Sequence, residues 1–104
     1  MAFWTGFVPQ GGGGVLKRAN VSYTGRVQGV GFRYTARAAS QTYAVDGFVK
    51  NITDGSVQVV AEGDDREIAV FLDDLEGRMR GYIRERAVVW EEPTGEFEGF
   101  SVRF

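Results

Sequence analysis

Residues 47–62 read GFVKNITDGSVQVVAE. Two strand-like runs, Gly47 to Asn51 and Ser56 to Glu62, flank the dipeptide Asp54-Gly55, which tolerates the positive φ of a tight hairpin turn. Two strands joined by a hairpin therefore occupy the middle of the chain, and what lies on either side of them decides the fold.

On the N-terminal side, Phe32 to Tyr43 holds neither Gly nor Pro, and Phe32, Ala36, Ala39 and Tyr43 fall at helical spacing. Before it, Ala19, Val21 and Tyr23 alternate with Asn20, Ser22 and Thr24, the period of a half-buried strand. On the C-terminal side, Asp64 to Arg80 carries one apolar stripe of Ile68, Phe71, Leu72, Leu75 and Met79. Asp64, Asp65 and Glu67 near its start and Arg78 and Arg80 near its end match a helix dipole, and Gly81 is the expected stop. Ile83 to Trp90 is a further strand, Glu92 to Gly99 a polar loop, and Phe100, Val102 and Phe104 mark a short last strand. The order strand, helix, strand, strand, helix, strand, with a short fifth strand, predicts an α+β fold with two helices on one face of an antiparallel sheet. Such a fold hosts many functions, so activity must come from the site.

Composition narrows the chemistry. The 104 residues suit one domain, and a net charge of −2 with a pI near 5.1 argues against a general nucleic-acid binder. There is no Cys, which excludes disulfides, thiolate nucleophiles and cysteine-rich zinc sites. There is no His, which removes the commonest general base and any phosphohistidine. The acidic Asp64, Asp65, Asp73 and Asp74 read as dipole partners and a solvated face, so no metal site is expected. No apolar run approaches the roughly 20 residues of a membrane span, and the N-terminus lacks a signal-peptide pattern. A soluble, cytoplasmic monomer is the expectation. Residues 1–15, MAFWTGFVPQGGGGV, read as a mobile tail ending in a glycine linker, with 16–104 as the domain. The alternative is that Phe3, Trp4 and Phe7 form a docking segment.

Between the first strand and the first helix stands GRVQGVGFR, residues 25–33. A helix start presents unpaired N–H groups and partial positive charge, and Gly29 and Gly31 let that backbone curl around a ligand. Such a geometry binds anions, phosphate above all. Arg33 in the first turn opposes the dipole, a cost that a bound dianion would reverse. The competing reading is a plain tight turn with Arg33 in solvent. The loop has neither the GK[ST] ending of a nucleotide P-loop nor a full GxGxxG. Asn51, at the end of the next strand, is either a turn residue or a side-chain amide placed to orient a water.

Taken together, Val27-Gln28-Gly29-Val30-Gly31-Phe32-Arg33 and Gly47-Phe48-Val49-Lys50-Asn51, followed by Gly55-Ser56-Val57 and Gly63, closely resemble the two linked motifs of the acylphosphatase family. The resemblance covers about residues 18–104. Two departures are the first fifteen residues and Gly81-Tyr82-Ile83, which stands where that family often has Gly-Pro. The resemblance implies a ferredoxin-like βαββαβ sandwich. It also implies hydrolysis of an acyl phosphate to carboxylate and inorganic phosphate, without cofactor. By motif position, Arg33 and the backbone amides of Gln28, Gly29, Val30, Gly31 and Phe32 would hold the phosphoryl group, and Asn51 would position the attacking water. The competing class is a noncatalytic phosphate- or RNA-binding module of the same fold. It would call for exposed aromatics on the central strands, where Tyr23 has no clear companion. Neither nucleic acid nor membrane is expected as a partner.

Overall fold

A computed structural model describes residues 14–104. In chain order it contains β1 (Leu16–Gly25), α1 (Phe32–Ser40), β2 (Val45–Asn51), β3 (Val57–Asp64), α2 (Asp65–Arg78), β4 (Ile83–Glu91) and β5 (Phe100–Arg103). The strands form one sheet in the order β4-β1-β3-β2-β5, in which β1 pairs with β3 and β4, and β3 with β2, all antiparallel. Alternate residues of the central strands, including Val21, Tyr23, Val57 and Val59, turn to one face. There they join Phe32, Ala36 and Ala39 of α1 and Ile68, Phe71 and Leu75 of α2 in a single buried cluster. This is the ferredoxin-like α+β sandwich expected from the element order.

The sheet is mixed rather than wholly antiparallel, because β5 runs parallel to β2, with Phe100 opposite Gly47. The reason is topological. β4 ends at the edge where β1 and β2 begin, the 92–99 loop crosses to the other side of the sheet, and a strand starting there must run with β2. The crossing is held by one carboxylate. Glu62, only 6% exposed, accepts from Arg18 Nε (2.8 Å) and from the amides of Thr94 (2.8 Å) and Gly95 (2.9 Å). Phe97 then packs edge-on against Phe48, ring centres 5.8 Å apart.

Element ends depart from the sequence reading in small, explicable ways. α1 stops at Ser40, not Tyr43, because the Thr42 and Tyr43 amides donate to Ala39 and Ser40, three residues back, and tighten the last turn. Tyr43 instead donates its hydroxyl to Asp74 (2.9 Å). In α2, Asp64 is the N-cap and accepts from Arg66 N at 2.8 Å. The helix ends at Arg78 with Met79 as cap, so Gly81 is not its stop; it lies in the turn closed by Tyr82 N and Met79 O at 2.9 Å, without a positive φ. β2 and β3 each extend two residues beyond the runs read from sequence at their far ends, to Val45 and Asp64.

The expected tail lies outside the described residues except for Gly14 and Val15. The Gly14 amide donates to Asp64, and the Val15 carbonyl accepts from Asp65 N at 3.0 Å. Among the described residues, no helix is long and apolar enough to cross a membrane.

Candidate active site

At the end of β1 the register against β4 slips between Thr24 and Gly25. Gly25 takes φ 127° and the Arg26 amide bonds Tyr82 O at 2.9 Å, so the chain leaves the sheet through a bulge. Val27, fully buried, pins the emerging loop to the core. Gly29 and Gly31 then adopt φ 77° and 81°, the left-handed region. A Cβ at either position would meet nothing within 4 Å. Glycine is therefore needed for the sign of φ, not for room.

Gly31 caps α1 without any side-chain hydrogen bond, and the first turn holds no acidic residue. None of the amides of residues 28–31 donates to a backbone carbonyl among the described residues. Four adjacent unpaired N–H groups at the positive end of a helix, on a backbone curled by two left-handed glycines, form a concavity whose chemistry suits an anion. Phe32 anchors the helix start below it, its ring 5.3 Å from that of buried Tyr23.

Arg33 and Asn51 meet here. With Val27, Gly29, Gly31, Phe32 and Tyr34 they line one cavity of ≈ 220 Å³. Asn51 closes β2 opposite Val57, half-buried, and its amide has no hydrogen-bond partner among the described residues. Arg33 has no carboxylate partner there either. Its guanidinium lies 4.6 Å from the centre of the Phe104 ring. A ring over the guanidinium face leaves the in-plane N–H donors available. The hairpin that presents Asn51 is itself well defined: Asp54 Oδ1 accepts from Ser56 N (2.9 Å) and Oγ (2.6 Å), while Gly55 takes φ 96°.

Two residues of the sequence-read loop stand off the cavity. Val30 packs half-buried against the core. The Gln28 side chain turns away and donates through Nε2 to Ile52 O (2.7 Å) and Ser56 O (2.9 Å). It thereby ties the glycine loop to the Asn51 hairpin. Sequence reasoning assigned only the Gln28 backbone and missed this link, along with Tyr34 and Phe104. No periodicity flags a contact across 28 positions.

The cavity is not the largest concavity. A groove of ≈ 480 Å³ runs between α2 and β4, lined by Asp73, Glu76, Arg80, Arg84, Glu85 and Arg86 among others. Its charges answer one another: Glu76 takes Arg86 at 2.6 Å and the Tyr23 hydroxyl at 2.7 Å. The groove therefore offers no concentration of one sign. Among the described residues, no group of three or more His, Cys, Asp and Glu could hold a metal ion.

The comparisons with known proteins cover both halves of this site. The acylphosphatase family model matches residues 19–102. An acylphosphatase of Haloarcula marismortui is 40% identical over 88 residues, covering 84% of this chain and 96% of its own. The crystal structure of acylphosphatase from Bacillus subtilis superposes with a TM-score of 0.76 at 26% identity, over 86% of this chain and all of that one (100%). A 12% portion of T. kodakarensis HypF has the same fold, with a TM-score of 0.73 and 27% identity over 85% of this chain. The match of sequence and fold, over a stretch that includes the glycine loop, Arg33 and Asn51, means that this chain belongs to the acylphosphatase family, hydrolases that act on acid anhydrides.

Proposed function

We propose that the protein hydrolyses the carboxyl–phosphate anhydride of acyl phosphates, with Arg33 and the amides of Gln28, Gly29, Val30, Gly31 and Phe32 binding the phosphoryl group and Asn51 orienting the attacking water. The observation that carries this reading is the meeting of Arg33 and Asn51, both without polar partners, over a loop of unpaired amides. A cation in the first turn of α1 costs up to about 1 kcal/mol against the dipole. A phosphoryl dianion between Arg33 and the amides turns that cost into attraction.

The chemistry needs no group that the chain lacks. Water attacks phosphorus in line with the acyl oxygen, the P–O bond to the acyl group breaks, and the carboxylate leaves with the bonding pair. The water protons pass to phosphate oxygens: RCO–OPO₃²⁻ plus H₂O gives RCOO⁻ plus H₂PO₄⁻. The Asn51 amide does not titrate near neutrality, so it orients the water and is no base. Because the leaving group is good, positioning and charge stabilisation carry the rate. The cationic site is built from Arg33 and backbone, which supports a metal-independent reaction.

The test is hydrolysis of benzoyl phosphate with EDTA present, comparing wild type with Arg33→Ala and Asn51→Ala. Each variant is expected to lose at least ~10²–10³ in kcat/KM, roughly 2.7–4 kcal/mol, with the fold retained. Arg33→Ala should also weaken inhibition by phosphate. Turnover close to wild type in either variant removes the role given to that residue.

The noncatalytic RNA-binding reading is less well supported by the open face of the sheet. The central strands present Arg18, Asn20, Ser22, Gln58 and Glu62 there, and the Phe48 ring beside them is overlaid by Phe97 and, at 4.0 Å, by Arg103. That leaves no free aromatic platform for bases on these strands.

A further inference from the structure

An acyl phosphate has two ends, and the cradle accounts for only one. Of the residues lining the cavity, Gly29 and Gly31 bring no side chain, and Val27 and Phe32 are buried. Arg33 and Asn51 are engaged with the phosphoryl group and the water in the reading above. Tyr34 remains. It occupies the third position of α1, where acidic residues usually stand, and its side chain is 63% exposed. Its hydroxyl has no hydrogen-bond partner among the described residues. A second exposed ring, Phe104 at 84%, lies against the neighbouring guanidinium of Arg33. One exposed aromatic side chain thus lines the small cavity that holds Arg33 and Asn51, and a second lies against Arg33. In-line displacement sends the acyl group away from the water, and so away from Asn51. A flat, apolar acyl group leaving the cradle would cover such rings.

We propose that Tyr34, next to the Arg33 that Phe104 covers, forms an acyl subsite that favours acyl phosphates with aromatic or extended apolar acyl groups over those with small ones. This rests on the acyl-phosphatase reading of the cradle. Stacking on one exposed ring corresponds to a factor of about 3–10 in binding. The subsite acts through KM for the favoured substrate, because the stacked group is remote from the reacting phosphorus.

The experiment measures kcat and KM for benzoyl phosphate and acetyl phosphate with wild type, Tyr34→Ala and Tyr34→Phe, together with inhibition by inorganic phosphate. Tyr34→Ala should raise KM for benzoyl phosphate about 5-fold, acetyl phosphate by less than about 2-fold, and leave phosphate inhibition within about 2-fold. Tyr34→Phe should behave as wild type, since the ring and not the hydroxyl is used. An equal loss on both substrates, or none on either, overturns the subsite while the reading of the cradle stands. Wild-type protein that hydrolyses neither substrate overturns that reading, and the subsite with it.

Discussion

The Gln28 side chain offers the sharpest test of how the site is held. Its Nε2 bridges the glycine loop to the Ile52 and Ser56 carbonyls at 2.7 and 2.9 Å, one and five residues beyond Asn51. Removing the amide in Gln28→Ala forfeits two neutral hydrogen bonds of about 0.5–1.5 kcal/mol each. The Ile52 bond is exposed, so a total of about 1–2 kcal/mol is expected, or roughly 5–12 °C in Tm for a chain of this size. The larger effect should fall on catalysis. The backbone amides and Arg33 remain on α1 and its loop, while Asn51 rides on a hairpin no longer tied to them. A misplacement of about 1 Å costs on the order of 10²-fold, so kcat should fall between about 10- and 100-fold. Phosphate inhibition should change less than about 3-fold, because the anion contacts survive. Gln28→Glu should be worse in both respects, since a carboxylate cannot donate to two carbonyls and adds negative charge beside the phosphoryl site. The assay is steady-state hydrolysis of benzoyl phosphate, phosphate inhibition and thermal denaturation on the same preparations. A variant that loses the expected Tm yet keeps kcat within about 2-fold of wild type would show that the bridge serves stability alone, and the coupling argument would fail.

Two further outcomes follow from structure away from the chemistry. Burial pushes the Glu62 carboxyl up, but the Thr94 and Gly95 amides and Arg18 outweigh it and hold the carboxyl below its usual range. A depressed carboxylate stabilises the fold fully above its unfolded pKa of about 4.3 and loses that contribution as pH falls through the folded value. Urea unfolding of Glu62→Gln should show a deficit of about 1.5–3 kcal/mol at pH 7 that shrinks below pH of about 4; a deficit independent of pH would assign the effect to packing. At Gly47, φ is 149° and a Cβ would overlap the Val60 carbonyl oxygen in the neighbouring strand. Gly47→Ala should therefore cost about 2–3 kcal/mol in chemical denaturation, and a loss under about 0.5 would mean that β2 and β3 are not held so close.

The parts of the fold legible in the sequence were those set by neighbours along the chain. Asp54-Gly55 announced the hairpin because the turn needs a positive φ and an Asp side chain can bond the backbone two residues on, and both occur. Asp64 was readable as a helix start because the first-turn amides of α2 need a local acceptor. The parallel alignment of β5 was not readable. It depends on where the 92–99 loop crosses, and that crossing is fixed by Glu62 and Arg18, whose partners in the loop lie 32 and 78 positions away. The end of α1 was missed for the same reason. Tyr43 keeps the apolar period, but its hydroxyl and ring are drawn to Asp74 and Phe71 of α2, and this tertiary pull ends the helix early.

The site divides along the same line, and the division bears on how it works. The glycine loop and Arg33 are contiguous in sequence, so their geometry follows from local backbone: left-handed Gly29 and Gly31, then the open amides of a helix start. Asn51 belongs to a different element, and its position relative to the loop is set by β2–β3 pairing and by the Gln28 bridge. On the proposed roles, the anion-binding half can therefore form without the hairpin in register, whereas orientation of a water requires both. Phosphate affinity should accordingly be robust to changes in the 51–56 hairpin and hydrolysis sensitive to them. A separation of this kind distinguishes a cradle that merely binds phosphate from one that commits it to attack.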